Sequence, residues 1–138
     1  MGQTRFLIVT RPARGGTDGA GAPRTVWRLL GANNRELGRC LTDFPDQESC
    51  RQAVTFLCEN IERANPLIMR AQPATLWVWR LEVDEVPLAL SARAYRRQRE
   101  CLYNLALFRA AVLNTDTTKV LPHLVRTTLR NRVELAAQ

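Results

Sequence analysis

A four-residue motif, Val-Trp-Arg-Leu, occurs twice in this chain, beginning at Val26 and again at Val78. The two copies lie 52 residues apart, and after a one-residue deletion the correspondence continues at an offset of 51, where Phe44 matches Tyr95. Beyond that point an apolar stripe recurs, with Cys50, Val54, Leu57 and Ile61 matching Cys101, Leu105, Phe108 and Val112. The i, i+4, i+7, i+11 spacing of the stripe is typical of one face of an α-helix. The sequence therefore predicts two copies of one small module.

Each copy is predicted to form strands followed by a helix. In the first copy, β-rich runs predict strands over residues 5–10, 25–30 and 36–42, and Pro45-Asp46 opens a helix that runs to about Ala64. In the second copy, strands are predicted over 66–70, 76–83 and 86–92, with a helix over 96–113. Asn33-Asn34 indicates a tight hairpin, because asparagine tolerates a positive φ. Pro87 indicates either an edge strand or the first residue of a strand.

The predicted fold class is α+β: two tandem ββ(β)α repeats forming one antiparallel sheet, with two helices packed on one face. The first repeat is assigned to residues 1–65, which include a glycine-rich loop at 15–23, and the second to residues 66–116. Residues 117–138 form a basic, amphipathic C-terminal extension, and all three parts are expected to belong to one compact domain. A chain of 138 residues is long enough to bury an ordinary hydrophobic core.

This pattern resembles the YegP-like family, small bacterial proteins built from tandem copies of one short module. The residues that carry the resemblance are Phe6 to Val9, Trp27-Arg28-Leu29 with Ala32-Asn33, Phe44, Cys50 to Leu57, Trp79-Arg80-Leu81, Tyr95, and Cys101 to Phe108. The resemblance covers about residues 5–113 and implies one sheet shared by both repeats, with C-terminal strands exchanged between them. It implies no particular chemistry, because the function of the family is unsettled. The chain departs from the usual Asn-Gly hairpins at Asn33-Asn34 and Asp84-Glu85.

Several classes of protein are disfavoured by composition and motif content. No run of 18 apolar residues predicts a membrane span, and the N-terminus lacks the apolar stretch of a signal peptide, so a cytoplasmic protein is expected. The four cysteines include no Cys-x-x-Cys pair, and His123 is the only histidine, so neither a metal site nor a cofactor is predicted. No nucleophile or phosphate-loop motif occurs, and we expect no catalytic residues and no small-molecule substrate.

The excess of basic over acidic residues in the chain predicts an anionic partner. The net charge is +7, and 19 of the 20 basic residues are arginine. Arg93, Arg96, Arg97 and Arg99 gather at the start of the second predicted helix, where positive charge opposes the helix dipole. The corresponding start of the first helix carries Asp43, Asp46 and Glu48, the favourable arrangement. We interpret the four arginines as a candidate binding site for nucleic acid or an acidic protein, against the alternative of a solvated surface patch.

The C-terminal extension is a second candidate for binding. Its apolar residues Leu121, Leu124, Val125, Thr128, Leu129 and Val133 follow a helical spacing, and Arg126, Arg130 and Arg132 lie along the polar side. Docking onto the protein's own sheet, a contact with a partner or a second copy, and a closing strand over residues 123–128 all remain open. The three tryptophans are expected in the core, although tryptophans on an open sheet face would form a stacking platform for bases.

These observations favour a non-catalytic, cytoplasmic binding module that takes nucleic acid or a nucleoprotein through its arginines. The alternative is a protein-interaction or homodimerisation module that uses the sheet edges and the C-terminal tail. The sequence leaves the partner, the choice among DNA, RNA and protein, and the oligomeric state open.

Overall fold

A computed structural model describes residues 4–11, 23–73 and 75–115. In chain order its elements are β1 (Arg5–Arg11), β2 (Arg24–Leu30), β3 (Glu36–Arg39), α1 (Gln47–Asn60), β4 (Asn65–Ala71), β5 (Leu76–Val83), β6 (Val86–Ser91) and α2 (Gln98–Asn114). A single 3₁₀ turn, Ile61–Arg63, continues α1, so the helix ends earlier than predicted. Apart from Pro23, the glycine-rich loop lies outside the described residues, and so does the C-terminal extension.

The strands form one antiparallel sheet in the order β1-β2-β3-β6-β5-β4. The predicted α+β class, with one antiparallel sheet and two helices, is confirmed. Among the described residues no strand is exchanged between the repeats, because the three strands of each half are neighbours in the sheet. The halves join where β3 pairs with β6, at Gly38 with Ser91 and Arg39 with Leu90. Both halves therefore contribute three adjacent strands followed by one helix.

Both hairpin turns place residues other than glycine at a positive φ. Asn34 has a φ of 66°, as predicted for the β2–β3 turn, and the β5–β6 turn uses Asp84 and Glu85 at φ of 50° and 66°. Pro87 does not lie on an edge strand, since β6 is central. Within the described residues, however, β3 pairs with β6 only at Leu90 and Ser91. At Pro87 the side of β6 that faces away from β5 therefore has no partner strand, and a proline without an N–H is tolerated there.

One hydrophobic core lies between the sheet and the two helices. It includes Phe6 and Ile8 from β1, Trp27 and Leu29 from β2, Trp79 and Leu81 from β5, and the predicted stripes Cys50, Val54, Leu57 and Ile61 and Cys101, Leu105, Phe108 and Val112. Trp27 and Trp79 are fully buried, which confirms their predicted place in the core and excludes them as a base-stacking platform. No helix in the described part of the chain is long and apolar enough to cross a bilayer.

Candidate functional site

A groove runs between the β2–β3 hairpin and the beginning of α2, with a volume of about 710 Å³. Arg35, on the hairpin, lies on one side, and Arg93, Arg96 and Arg99 lie on the other. We call these four residues and the space between them the arginine groove. Of the four arginines predicted from sequence, three line the groove, whereas Arg97 is the N-cap residue of α2 beside it.

The groove exists because the sheet anchors the segment that carries these arginines. After β6 ends, Tyr95 exchanges two backbone hydrogen bonds of 2.7 Å with Trp77, and α2 starts three residues later. The guanidinium of Arg93 lies 5.5 Å from the centre of the Tyr95 ring. Arg39 of β3 donates a 3.1 Å hydrogen bond from Nη2 to the Ala92 carbonyl, which ties the two halves together at this point. The segment is thus fixed at both its strand end and its helix end.

The first half uses the same backbone arrangement with opposite charge. Phe44 bridges to Thr25 through backbone hydrogen bonds of 2.7 and 2.8 Å, as Tyr95 bridges to Trp77. The N-cap of α1 is Asp46, whose carboxylate accepts a 2.7 Å hydrogen bond from the Ser49 N–H. That bond lowers the pKa of the Asp46 carboxyl below its ordinary value of 3.8. The equivalent residue in the second half is Arg97, which has no capping side-chain bond.

In the part of the chain that the structure describes, the groove arginines have no carboxylate partner. Within the described ranges, neither Arg97 nor any of Arg35, Arg93, Arg96 and Arg99 forms an ion pair. Other arginines do: Arg24 pairs with Asp43 at 2.7 Å, and Arg28 and Arg39 both bond Glu36, at 2.9 and 2.7 Å. Glu36 lines the groove, but both of its oxygens are already engaged. The four arginines therefore line a groove in which Glu100 is the one lining acid besides Glu36.

Arg35 is the groove arginine that sequence reasoning missed. It belongs to a hairpin in the first half, 58 residues before Arg93, and no local motif links the two. The pairing of Gly38 with Ser91 brings that hairpin alongside the segment after β6. The predicted repeat alone could not reveal this contact, because it depends on which strands meet at the centre of the sheet.

Two tyrosines and the buried Asn104 also line the groove. Tyr103 is 67 % exposed, one turn along α2 from Arg99, and Tyr95 is half-buried. Burial raises the pKa of Tyr95, although Arg93 beside it opposes the rise, so the phenol is neutral near pH 7. Asn104 is buried beneath, where its Oδ1 accepts a 2.6 Å hydrogen bond from the Trp79 indole N–H. The aromatic rings that line the groove are therefore tyrosines. Trp77, the third tryptophan, is half-buried and packs against the core.

The cysteines lack the properties of nucleophiles. All four are free thiols, and Cys40, Cys50 and Cys101 are buried. Burial raises the pKa of Cys50 to about 12 and that of Cys58 to about 11, so both are protonated near neutral pH. Arg126, Arg130 and Arg132, the remaining predicted site residues, lie outside the described residues and stay a prediction.

Comparisons with known proteins support the fold alone. No family model matches the chain, and no curated protein matches it significantly. Among solved structures, the solution NMR structure of YegP from E. coli, a protein of unknown function, matches with a TM-score of 0.60. The match covers 83 % of this chain and 90 % of that one at 12 % identity. The chain therefore shares the fold of YegP, as its sequence pattern indicated, and that neighbour carries no assigned chemistry.

Proposed function

We propose that this chain is a non-catalytic module that binds nucleic acid, alone or within a nucleoprotein, through the arginine groove. The observation that carries the proposal is the convergence on one groove of four arginines that have no acidic partner among the described residues, from two distant parts of the chain. Arginine presents a planar fork of donors that suits phosphate oxygens. An arginine without an ion pair can form such bonds without breaking a salt bridge.

The tyrosines add a second kind of contact. Tyr95 and Tyr103 lie among the arginines, and an exposed aromatic ring can stack on an unpaired base. Basic side chains interleaved with aromatic rings are typical of surfaces that hold single strands. We therefore expect single-stranded nucleic acid to bind more tightly than a duplex of the same length.

We place the chain in a bacterial cytoplasm. Its structural neighbour is bacterial, and its four cysteines are free thiols, which persist in reducing compartments.

We also infer that the two halves arose from one duplicated module. The backbone bridges at Thr25–Phe44 and Trp77–Tyr95 support this inference, since they occur at the same offsets of 52 and 51 as the sequence repeat. On this view one copy kept the acidic helix start and the other acquired the arginines.

The test is fluorescence anisotropy with labelled single-stranded and duplex DNA and RNA across a salt series. Each arginine–phosphate contact adds about 0.7–0.9 to the slope of log affinity against log salt concentration. The triple variant Arg93→Gln, Arg96→Gln, Arg99→Gln should therefore bind more weakly, with a slope lower by about 2 to 3. Arg35→Gln alone should lower the slope by about 0.7–0.9.

The matched control removes the same charge from arginines that are already paired: Arg24→Gln, Arg51→Gln, Arg63→Gln. We expect this control to keep most of the wild-type affinity and slope. Equal losses in both triple variants would show that net charge, rather than the arginine groove, drives binding. Wild-type binding by the groove variant would refute the proposed site.

A second candidate function is protein interaction through the sheet edges. The edge strand β4 is seven residues long and presents Pro66, Leu67 and Ile68, with Leu67 exposed on an edge that no described strand pairs with. Such an edge can accept a strand from a partner or a second copy. Light scattering across a concentration series tests the homodimer form, and a monomer at every concentration contradicts it.

A further inference from the structure

The solvent side of α2 is apolar along most of its length. Between Cys101 and Leu113, every exposed residue is uncharged: Leu102, Tyr103, Ala106, Leu107, Ala110 and Leu113. Leu102, Leu107 and Leu113 are 45 %, 40 % and 56 % exposed. These residues recur at helical spacing, so they form one continuous strip, which we call the α2 outer face. It lies opposite the stripe that packs on the sheet.

The corresponding face in the first half is polar. At the equivalent positions stand Arg51, Gln52, Thr55, Phe56, Glu59 and Glu62. Both helices pack on the same sheet and belong to the same core, so the fold does not require an apolar outer side. A helix with apolar residues on both sides is usually covered on both sides. The difference between the two helices thus indicates a covering element specific to α2.

The chain itself carries a segment that matches this face. Residues 116–138 follow α2 directly, and their apolar residues run from Leu121 to Val133 at helical spacing. At about 1.5 Å of rise per residue, that stripe would extend about 18 Å, and the α2 outer face from Leu102 to Leu113 extends about 17 Å. A segment that turns back after Thr115 would reach the whole face, with Pro122 in its first helical turn.

The described part of the sheet already has three strands in each half. Ile68 of β4 pairs with Trp79 as Ile8 of β1 pairs with Trp27, so β4 is the counterpart of β1 in the second half. A strand at residues 123–128 would therefore be a fourth strand, added at the outer edge of β1 or β4. A helix over residues 121–133 would instead cover the apolar outer side of α2.

We propose that residues 121–133 form an amphipathic helix that packs in cis, antiparallel to α2, on the α2 outer face. The tether after Thr115 gives the segment a high effective concentration at this face, which favours it over a second copy at moderate protein concentration. The packing covers leucines that would otherwise contact water. Tyr103 and Leu107 line both the α2 outer face and the arginine groove, so a helix packed here would leave Tyr95, and not Tyr103, available to a base. The inference itself rests on burial and spacing, and not on the charge that carries the nucleic-acid proposal.

Hydrogen–deuterium exchange of the full-length protein tests the packing. We expect the amides of residues 121–133 to be protected in the wild-type protein, to the same degree at low and high protein concentration. Leu107→Gln and Leu113→Gln, each made separately, should lower that protection by about tenfold or more, since each removes one apolar contact of leucine size. Both leucines are exposed in the described part of the chain, so neither substitution disturbs the core.

The matched control is Phe56→Gln, which changes the equivalent residue of α1 at nearly the same exposure, 42 % against 40 % for Leu107. It should leave exchange in residues 121–133 unchanged. Three results would overturn the proposal: full exchange of these amides in the wild-type protein, no effect of the α2 substitutions, or protection that rises with concentration alongside a dimeric mass. The last result would assign the α2 outer face to a second copy.

Discussion

Gly38 and Phe108 show how one residue's missing side chain makes room for another. A Cβ built on Gly38 would lie 2.5 and 2.6 Å from Cε1 and Cδ1 of the Phe108 ring, and 3.0 Å from Cη2 of Trp79. The ring cannot easily retreat, because its centre lies 4.8 Å from that of Trp79 and 6.4 Å from that of Trp27. Ala89 takes the equivalent strand position in the second half, opposite Leu81 as Gly38 is opposite Leu29.

Gly38→Ala should lower the free energy of unfolding by about 1–3 kcal/mol, the usual cost of overpacking a close-packed core. The matched control is Gly31→Ala, where the nearest atom to the new Cβ is 3.4 Å away and ordinary contact results. Urea denaturation followed by tryptophan fluorescence measures both variants. Equal stabilities of the two variants would contradict the close approach of Phe108 to the strand.

At the scale of the element, the two helices begin with opposite chemistry. The N-cap Asp46 of α1 bonds the Ser49 N–H, and its lowered pKa means that it stabilises the folded state above its ordinary value of 3.8. That stabilisation is lost as the pH falls through the folded-state pKa. The N-cap Arg97 of α2 has a similarly extended backbone, at φ of −118° and ψ of 139°, but no capping bond. The second helix thus begins at an uncapped, positively charged residue.

Arg97→Asp should therefore raise the free energy of unfolding by about 0.5–2 kcal/mol, because an aspartate there can accept the free N–H groups of the first turn. Arg96→Asp makes the same change of charge one residue earlier, outside the cap position, and should stabilise less. Urea denaturation at neutral pH separates the two. If both variants gain equally, relief of charge repulsion accounts for the effect and the capping argument is wrong.

At the scale of the whole molecule, one ring of α2 packs against the tryptophans of both halves. The Phe108 ring stacks on Trp27 of the first half and tilts against Trp79 of the second, within one core cluster. The β3–β6 pairing adds the backbone link. The halves are therefore expected to unfold together rather than one after the other.

Phe108→Ala should lower the free energy of unfolding by about 3–5 kcal/mol and leave one cooperative transition. Phe56→Ala, on the solvent side of α1, should cost far less. Tryptophan fluorescence and far-ultraviolet circular dichroism, recorded on the same denaturation series, should give coincident curves. Separate transitions from the two signals would show that the halves are independent folding units.

The sequence by itself determined the elements and the buried stripes. Trp27, Trp79 and both helix stripes are buried as predicted, because hydrophobic periodicity depends only on neighbours along the chain. Asn34 adopted its predicted positive φ for the same local reason. The cluster from Arg93 to Arg99 could be recognised in the sequence because its residues are close together along the chain. Aligning the two repeats then showed that the first helix starts with acids, including Asp46, where the second starts with arginines.

Only the tertiary structure decided how the halves meet. The central β3–β6 pairing joins residues more than 50 positions apart, and sequence periodicity contains no information about which strand edges pair. That pairing made Pro87 part of a central strand, kept the described strands of each half together and carried Arg35 to the other arginines. The same packing buried Trp27 and Trp79, left Trp77 and Tyr95 half-buried and left Tyr103 exposed. Local patterns are set by nearest neighbours, whereas the arginine groove is set by long-range pairing.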